Sequence, residues 1–113
     1  MAYQPRYERF EAVGPDGQRR AVQFNKAGFL ALGDQPELYF FEVAGAEAVV
    51  GISGATLRRF QQGRRYLSRE EKIDLAGLLL KRRIEAGTPL VSENLLIQDE
   101  ELAGLAGDLG LTT

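Results

Sequence analysis

The hydrophobic pattern of this chain changes period at one place, between Ile52 and Ser53. Before that point apolar residues come in short runs that alternate or cluster over five to eight positions, bounded by Gly, Pro and Asp. After it they recur every three or four positions. A two-residue period places successive side chains on opposite faces of a strand, and a 3.6-residue period gathers them on one face of a helix. A chain that spells its strands first and its helices afterwards is expected to fold as α+β rather than as alternating βαβ units. The expected architecture is an antiparallel sheet of four to five strands within residues 6–52, a short helix, a long helix over about residues 69–86, and a C-terminal tail with a short helix of its own.

Within the first half, residues 6–13 (RYERFEAV) and 19–24 (RRAVQF) flank Gly14-Pro15-Asp16-Gly17. Proline presets φ and glycine closes such a turn, so these runs read as a hairpin with Val22 and Phe24 on one face. Residues 29–32 (FLAL) are a candidate third strand, ended by Gly33-Asp34-Gln35-Pro36. LYFFEV (38–43) is rich in aromatic and β-branched groups and reads as a central strand, with AVVGI (48–52) pairing across Ala44-Gly45-Ala46-Glu47.

In the second half, Ser53 is placed to cap a helix about two turns long that carries Leu57 and Phe60 on one face and ends at Gly63. Ser68 followed by Glu71 is a capping box, and it opens the longest helix, which Gly87 and Pro89 terminate. Its apolar arc (Ile73, Ala76, Leu80 and Ile84, widened by Leu75 and Leu79) is broader than docking on one sheet requires, so the tail or a second subunit is expected to bury the excess. Residues 1–87 are read as one domain and residues 88–113 as an acidic, leucine-bearing tail. In that tail residues 99–110 form a helix with Leu102, Leu105, Ala106 and Leu109 on one side, weakened by Gly104, Gly107 and Gly110.

Charge separates along the chain as sharply as hydrophobic period. Nine of the fourteen basic residues lie between Arg58 and Arg83 against three acids, a net of +6, whereas residues 84–113 hold six acids and no base. The whole chain balances to -2. Such separation bears on partners rather than on fold. Lys81, Arg82 and Arg83 fan around a helix at about 100° per residue and make no single stripe. Arg58, Arg59, Arg64 and Arg65 cluster better, around the end of the short helix and its turn.

Absent residues exclude several chemistries. Without histidine or cysteine the chain lacks the usual zinc and copper ligands, any Ser-His-Asp triad and any thiolate nucleophile. The chain is therefore read as non-catalytic, with no cofactor and no metal. An enzyme, the remote alternative, would rest on carboxylates, three lysines, tyrosines or hydroxyls. Gly51-Ile52-Ser53-Gly54 is no nucleophile elbow, because Ala55 stands where the second glycine belongs. Met1–Phe10 has no apolar leader and the longest apolar run is Leu78-Leu79-Leu80, so a cytoplasmic location without membrane contact is the expectation.

Gly51, Ile52, Ser53, Thr56, Leu57, Arg59, Gly63, Arg64, Arg65, Ser68, Leu75 and Ala76 together resemble the second half of a Cro/Xre-type helix-turn-helix domain. The resemblance covers about thirty residues, 51–80, and stops upstream, where LYFFEV and AVVGI read as strands instead of the two helices of that family. It implies that residues 53–62 enter a major groove, with Thr56, Arg58, Arg59 and Gln62 near bases or phosphates. Two functions from different classes follow. In the first, favoured one, the chain is a protein-interaction or self-assembly module whose basic edge (Arg58, Arg59, Arg64, Arg65) meets an acidic tail through Leu102, Leu105 and Leu109, the partner being itself or another protein and a homo-oligomer being one form. In the second, it is a nucleic-acid-binding regulator that contacts phosphates through Arg58–Arg65, with the tail as an electrostatic competitor.

Overall fold

A computed structural model describes residues 3–29, 36–62 and 66–111. It contains strands β1 (Arg9–Val13), β2 (Arg19–Phe29), β3 (Glu37–Val43) and β4 (Ala46–Ile52), helices α1 (Gly54–Gln61) and α2 (Arg69–Glu85), a short 3-10 turn at Ser92–Asn94, strand β5 (Leu96–Ile97) and helix α3 (Asp99–Asp108). The architecture is α+β, a five-stranded sheet in the order β1-β2-β3-β4-β5 followed by helices. Neighbouring pairs from β1 to β4 are antiparallel, as a meander of hairpins must be.

Three features differ from the sequence expectation. The fifth strand comes from the tail rather than from residues 6–52, and it runs parallel to β4. A parallel neighbour needs a long crossover, which α1 and α2 supply. Phe29 ends β2, an 11-residue strand that absorbs one extra residue between Phe24 and Lys26 as a bulge. The rest of the candidate strand, Leu30–Leu32, lies outside the described residues. Finally, β1 starts at Arg9 and not at Arg6. The backbone N–H groups of Arg6 and Tyr7 instead point at the carboxylate of Asp74 on α2, at 2.9 and 2.7 Å.

Local chemistry explains the punctuation. In the β1–β2 turn the N–H of Gly17 donates to the carbonyl of Gly14 at 3.0 Å, and Asp16 Oδ1 accepts from the N–H of Gln18 at 3.0 Å. The Ser68 hydroxyl accepts from the N–H of Glu71 at 3.1 Å while Glu71 Oε1 accepts from the N–H of Ser68 at 2.8 Å, a complete capping box. At the other end of α2, Gly87 takes φ 71°, and the N–H of Thr88 reaches back to the carbonyl of Arg83 at 2.9 Å. That left-handed residue and six-to-one bond form a Schellman motif. The same bond pattern closes α3, where Leu111 donates to Ala106 at 2.8 Å.

One core joins the inner face of the sheet (Val22, Phe24, Tyr39, Phe41, Val50, Ile52 and Ile97) to α1, α2 and the tail. Every residue of α2 from Ile73 to Leu80 is buried, because the helix is covered from several sides. The sheet takes one side and α3 another, and the segment before β1 crosses it at Gly77. The excess apolar arc of α2 is thus buried within the chain. Each fully buried leucine of this kind stabilises the fold by about 1.5–3 kcal/mol.

Candidate interaction surface

The acidic segment folds back onto the basic one. From Leu95 onward it forms an arm with a strand and a helix: the N–H of Gly51 donates to the carbonyl of Leu95 at 2.9 Å, which seats β5 beside β4. α3 then lies against α1 and α2 with Leu102, Leu105 and Ala106 buried. Leu109 and Leu111 close the same core. All three leucines singled out for tail contact, Leu102, Leu105 and Leu109, therefore bury against the chain's own helices.

Charge pairs rim this apolar contact. Arg59 of α1 holds Asp99 through two donors, Nε at 3.0 Å and Nη2 at 2.8 Å, the forked geometry that guanidinium and carboxylate share. Arg82 pairs with Asp108 at the far end of α3. Arg83 donates to Glu101 at 2.5 Å and to the carbonyl of Asn94 at 2.9 Å, so its stem runs along the apolar arc while its head stays in the polar rim. Lys81 stays on its own helix, 2.6 Å from Glu85. The three consecutive cations of α2 thus take three different carboxylates, as the fan of a helix requires. The Arg59 guanidinium and the Thr56 hydroxyl hold the Asp99 carboxyl below its ordinary range. Asp99, Glu100 and Glu101 occupy the first turn of α3, where negative charge also favours the helix dipole.

The nucleic-acid candidates divide. Ser53 caps α1 by accepting from the N–H of Thr56, at 3.4 Å. Thr56 is buried and its hydroxyl faces Asp99, so its side chain does not reach the outer surface of α1. Arg58 and Gln62 are exposed, and Arg59 is exposed but engaged by Asp99. Arg64 and Arg65 lie outside the described residues. Residues 37–43 and 46–52 form β3 and β4, so strands stand upstream of Ser53 where a helix-turn-helix domain has helices; the residues that carry the resemblance, 51–80, run from the end of β4 through α1 into α2.

Two polar clusters, one around buried Asp74 and one half-buried, were not singled out from the sequence. Asp74, fully buried in α2, accepts from the N–H groups of Arg6 and Tyr7 and from the Tyr3 hydroxyl. Burial and the neighbouring Asp74 carboxylate push the Tyr3 hydroxyl up to about 12. Arg6 also donates to the carbonyl of Leu109 at 3.2 Å, so the N-terminal segment touches the end of the arm. On the other flank of α2, Lys72 and the hydroxyl of Tyr39 both donate to Glu37 Oε1, at 3.0 and 2.8 Å. Burial, then the Glu37 charge, raises Tyr39 strongly. Both clusters are internally satisfied: among the described residues no buried side-chain polar atom lacks a partner. A charge inside an apolar helical arc, as in Ile73-Asp74-Leu75, was the sequence signal for the first cluster. Glu37 and Lys72 are 35 positions apart and gave none.

Among the described residues no group of three His, Cys, Asp or Glu is placed to hold a metal ion, and no helix is long and apolar enough to cross a membrane. Fold and surface together define an α+β domain in which a C-terminal strand-helix arm closes over a basic helical edge. The chain matches no protein-family model, no curated protein and no solved structure.

Proposed function

We propose that this chain is a non-catalytic protein-interaction or self-assembly module whose basic edge on α1 and α2 receives an acidic, leucine-bearing arm. The observation that carries this is the matched set Arg59–Asp99, Arg82–Asp108 and Arg83–Glu101 around a leucine seam. Within one chain the arm satisfies its own edge. Exchanged between two chains through the connection after α2, it makes the same contacts in trans, which is a low-cost route to a dimer. An acidic helix of another protein would meet the same groups.

Charge reversal tests this without truncation. Arg59→Glu and Asp99→Arg chains each carry a repulsive pair internally, but arm exchange between them restores attraction at both edges. Native mass spectrometry of the mixture is expected to show a mixed species exceeding either self-associated one. Absence of that species would count against the proposal.

A second function is favoured by one observation: Arg58 on α1 and Gln62 at its C-terminal cap are exposed beside the Arg59 that Asp99 engages. Nucleic acid would then compete with the arm. Binding to duplex or single-stranded DNA should fall steeply with salt and tighten in Asp99→Ala. No binding to either form at low salt removes this alternative.

A further inference from the structure

The sheet has a second face. Cross-strand register places Lys26, Phe40 and Val49 side by side in one row, and Gly28, Leu38, Gly51 and Leu96 in the next. These residues alternate with Tyr39, Phe41 and Val50, which point into the core, so they face the other way. Leu38, Phe40, Val49 and Leu96 stand outside the core cluster of the described residues, yet each is half-buried. A Cβ at Gly28 would stand 3.1 Å from the Phe40 ring, and one at Gly51 would stand 3.2 Å from Leu96, 3.6 Å from Leu38 and 3.7 Å from Pro36, which borders the strip at the start of β3. The large side chains crowd the two glycines in an apolar strip, with the Lys26 ammonium 5.1 Å from the centre of the Phe40 ring.

The charges around the strip say what fits it. On this face β1 to β4 carry Arg9, Arg19 and Lys26 against Glu11, Glu42 and Glu47, three of each sign. A surface without net charge offers a polyanion no counterion-release advantage. A second copy of the chain meets it with both signs available. We propose that this face is a homodimer interface in which two sheets pack back to back. An isologous contact with its two-fold axis along β3 exchanges the positions of β2 and β4. Lys26 of one copy then lies over Val49 of the second, with Glu47 two residues along the same strand, and the pairing occurs twice. No acid of the arm and no cation of the α1–α2 edge takes part, so this interface is independent of arm exchange.

Sedimentation equilibrium of the full chain tests it. The expected result is a concentration-dependent rise from 12.5 kDa to twice that mass. Phe40→Glu and, separately, Val49→Glu should abolish the rise while leaving far-ultraviolet circular dichroism unchanged, because neither side chain belongs to the core. Lys26→Glu and Glu47→Lys should each weaken the dimer roughly fivefold or more, and the double variant should regain it. The charge pair decides the matter even if Phe40→Glu fails to fold. A chain that stays monomeric up to the highest soluble concentration would overturn the proposal. So would a dimer indifferent to Lys26 and Glu47, and if that dimer answered to Arg59→Glu and Asp99→Arg, the arm would be its interface.

Discussion

The backbone of Tyr7 crosses α2 directly over Gly77, so closely that a Cβ at position 77 would stand 2.6 Å from the Cβ of Tyr7 and closer still to its carbonyl oxygen. Glycine is the one residue that lets this crossing occur. The crossing in turn delivers the N–H groups of Arg6 and Tyr7 to Asp74, one turn earlier on the same helix.

Two helical glycines should therefore respond to alanine with opposite signs. Gly77→Ala pushes a methyl group into backbone that cannot give, and should destabilise by about 1–3 kcal/mol despite the better helix propensity of alanine. Gly104→Ala in α3 meets nothing within 4 Å and should stabilise by about 0.5–1 kcal/mol. Urea unfolding of the two variants checks both.

Asp74 should be costly to remove. Asp74→Ala strands two backbone donors and a tyrosine hydroxyl, and a loss of about 2–4 kcal/mol is expected by the same measurement.

Tyr3 provides an optical view of that cluster. Its folded pKa is raised from 10.0 to about 12, so its contribution to stability is fully present below pH 10 and is lost as pH rises from there through about 12. The ultraviolet difference titration between the wild-type chain and Tyr3→Phe should have its midpoint near 12. A midpoint at 10 would mean that the hydroxyl is neither buried nor held by Asp74.

Asp99 titrates in the opposite sense. Its folded pKa is depressed by Arg59 and Thr56, so the arm gains from this pair above the ordinary carboxylate range of about 3.9 and loses that gain as pH falls through the lower folded value. By carboxyl carbon NMR, Arg59→Ala should move the Asp99 midpoint upward.

The β3–β4 turn carries a conformational mismatch. Ala44 has φ 50° and Gly45 has φ 86°, the two positive values of a type I′ turn, which favours Asn-Gly. Ala44→Asn should stabilise the chain by about 0.5–1 kcal/mol, visible as a raised thermal midpoint.

Much of this was legible in residue order. The period change at Ser53, the hairpin turn at Gly14–Gly17 and the capping box at Ser68 and Glu71 are local devices, and each forms with near neighbours in sequence. The helix of the tail and its buried side were legible for the same reason. The two-residue β5 was not, because a strand that short carries no period of its own and exists only where Gly51 and Ser53 offer it donors. Thr56 looked like a surface hydroxyl on α1; it is buried because α3 lies against that helix.

The sequence by itself determined the fold class, the order of strands and helices, and the opposition of a basic stretch to an acidic one, since all three are written in spacing and sign along the chain. Tertiary structure decided which arginine meets which acid, that the arm joins the sheet in parallel, and that Asp74 anchors the N-terminal segment. Those contacts join residues 18 to 71 positions apart. Their geometry follows from how helices seat on the sheet, which no local pattern encodes.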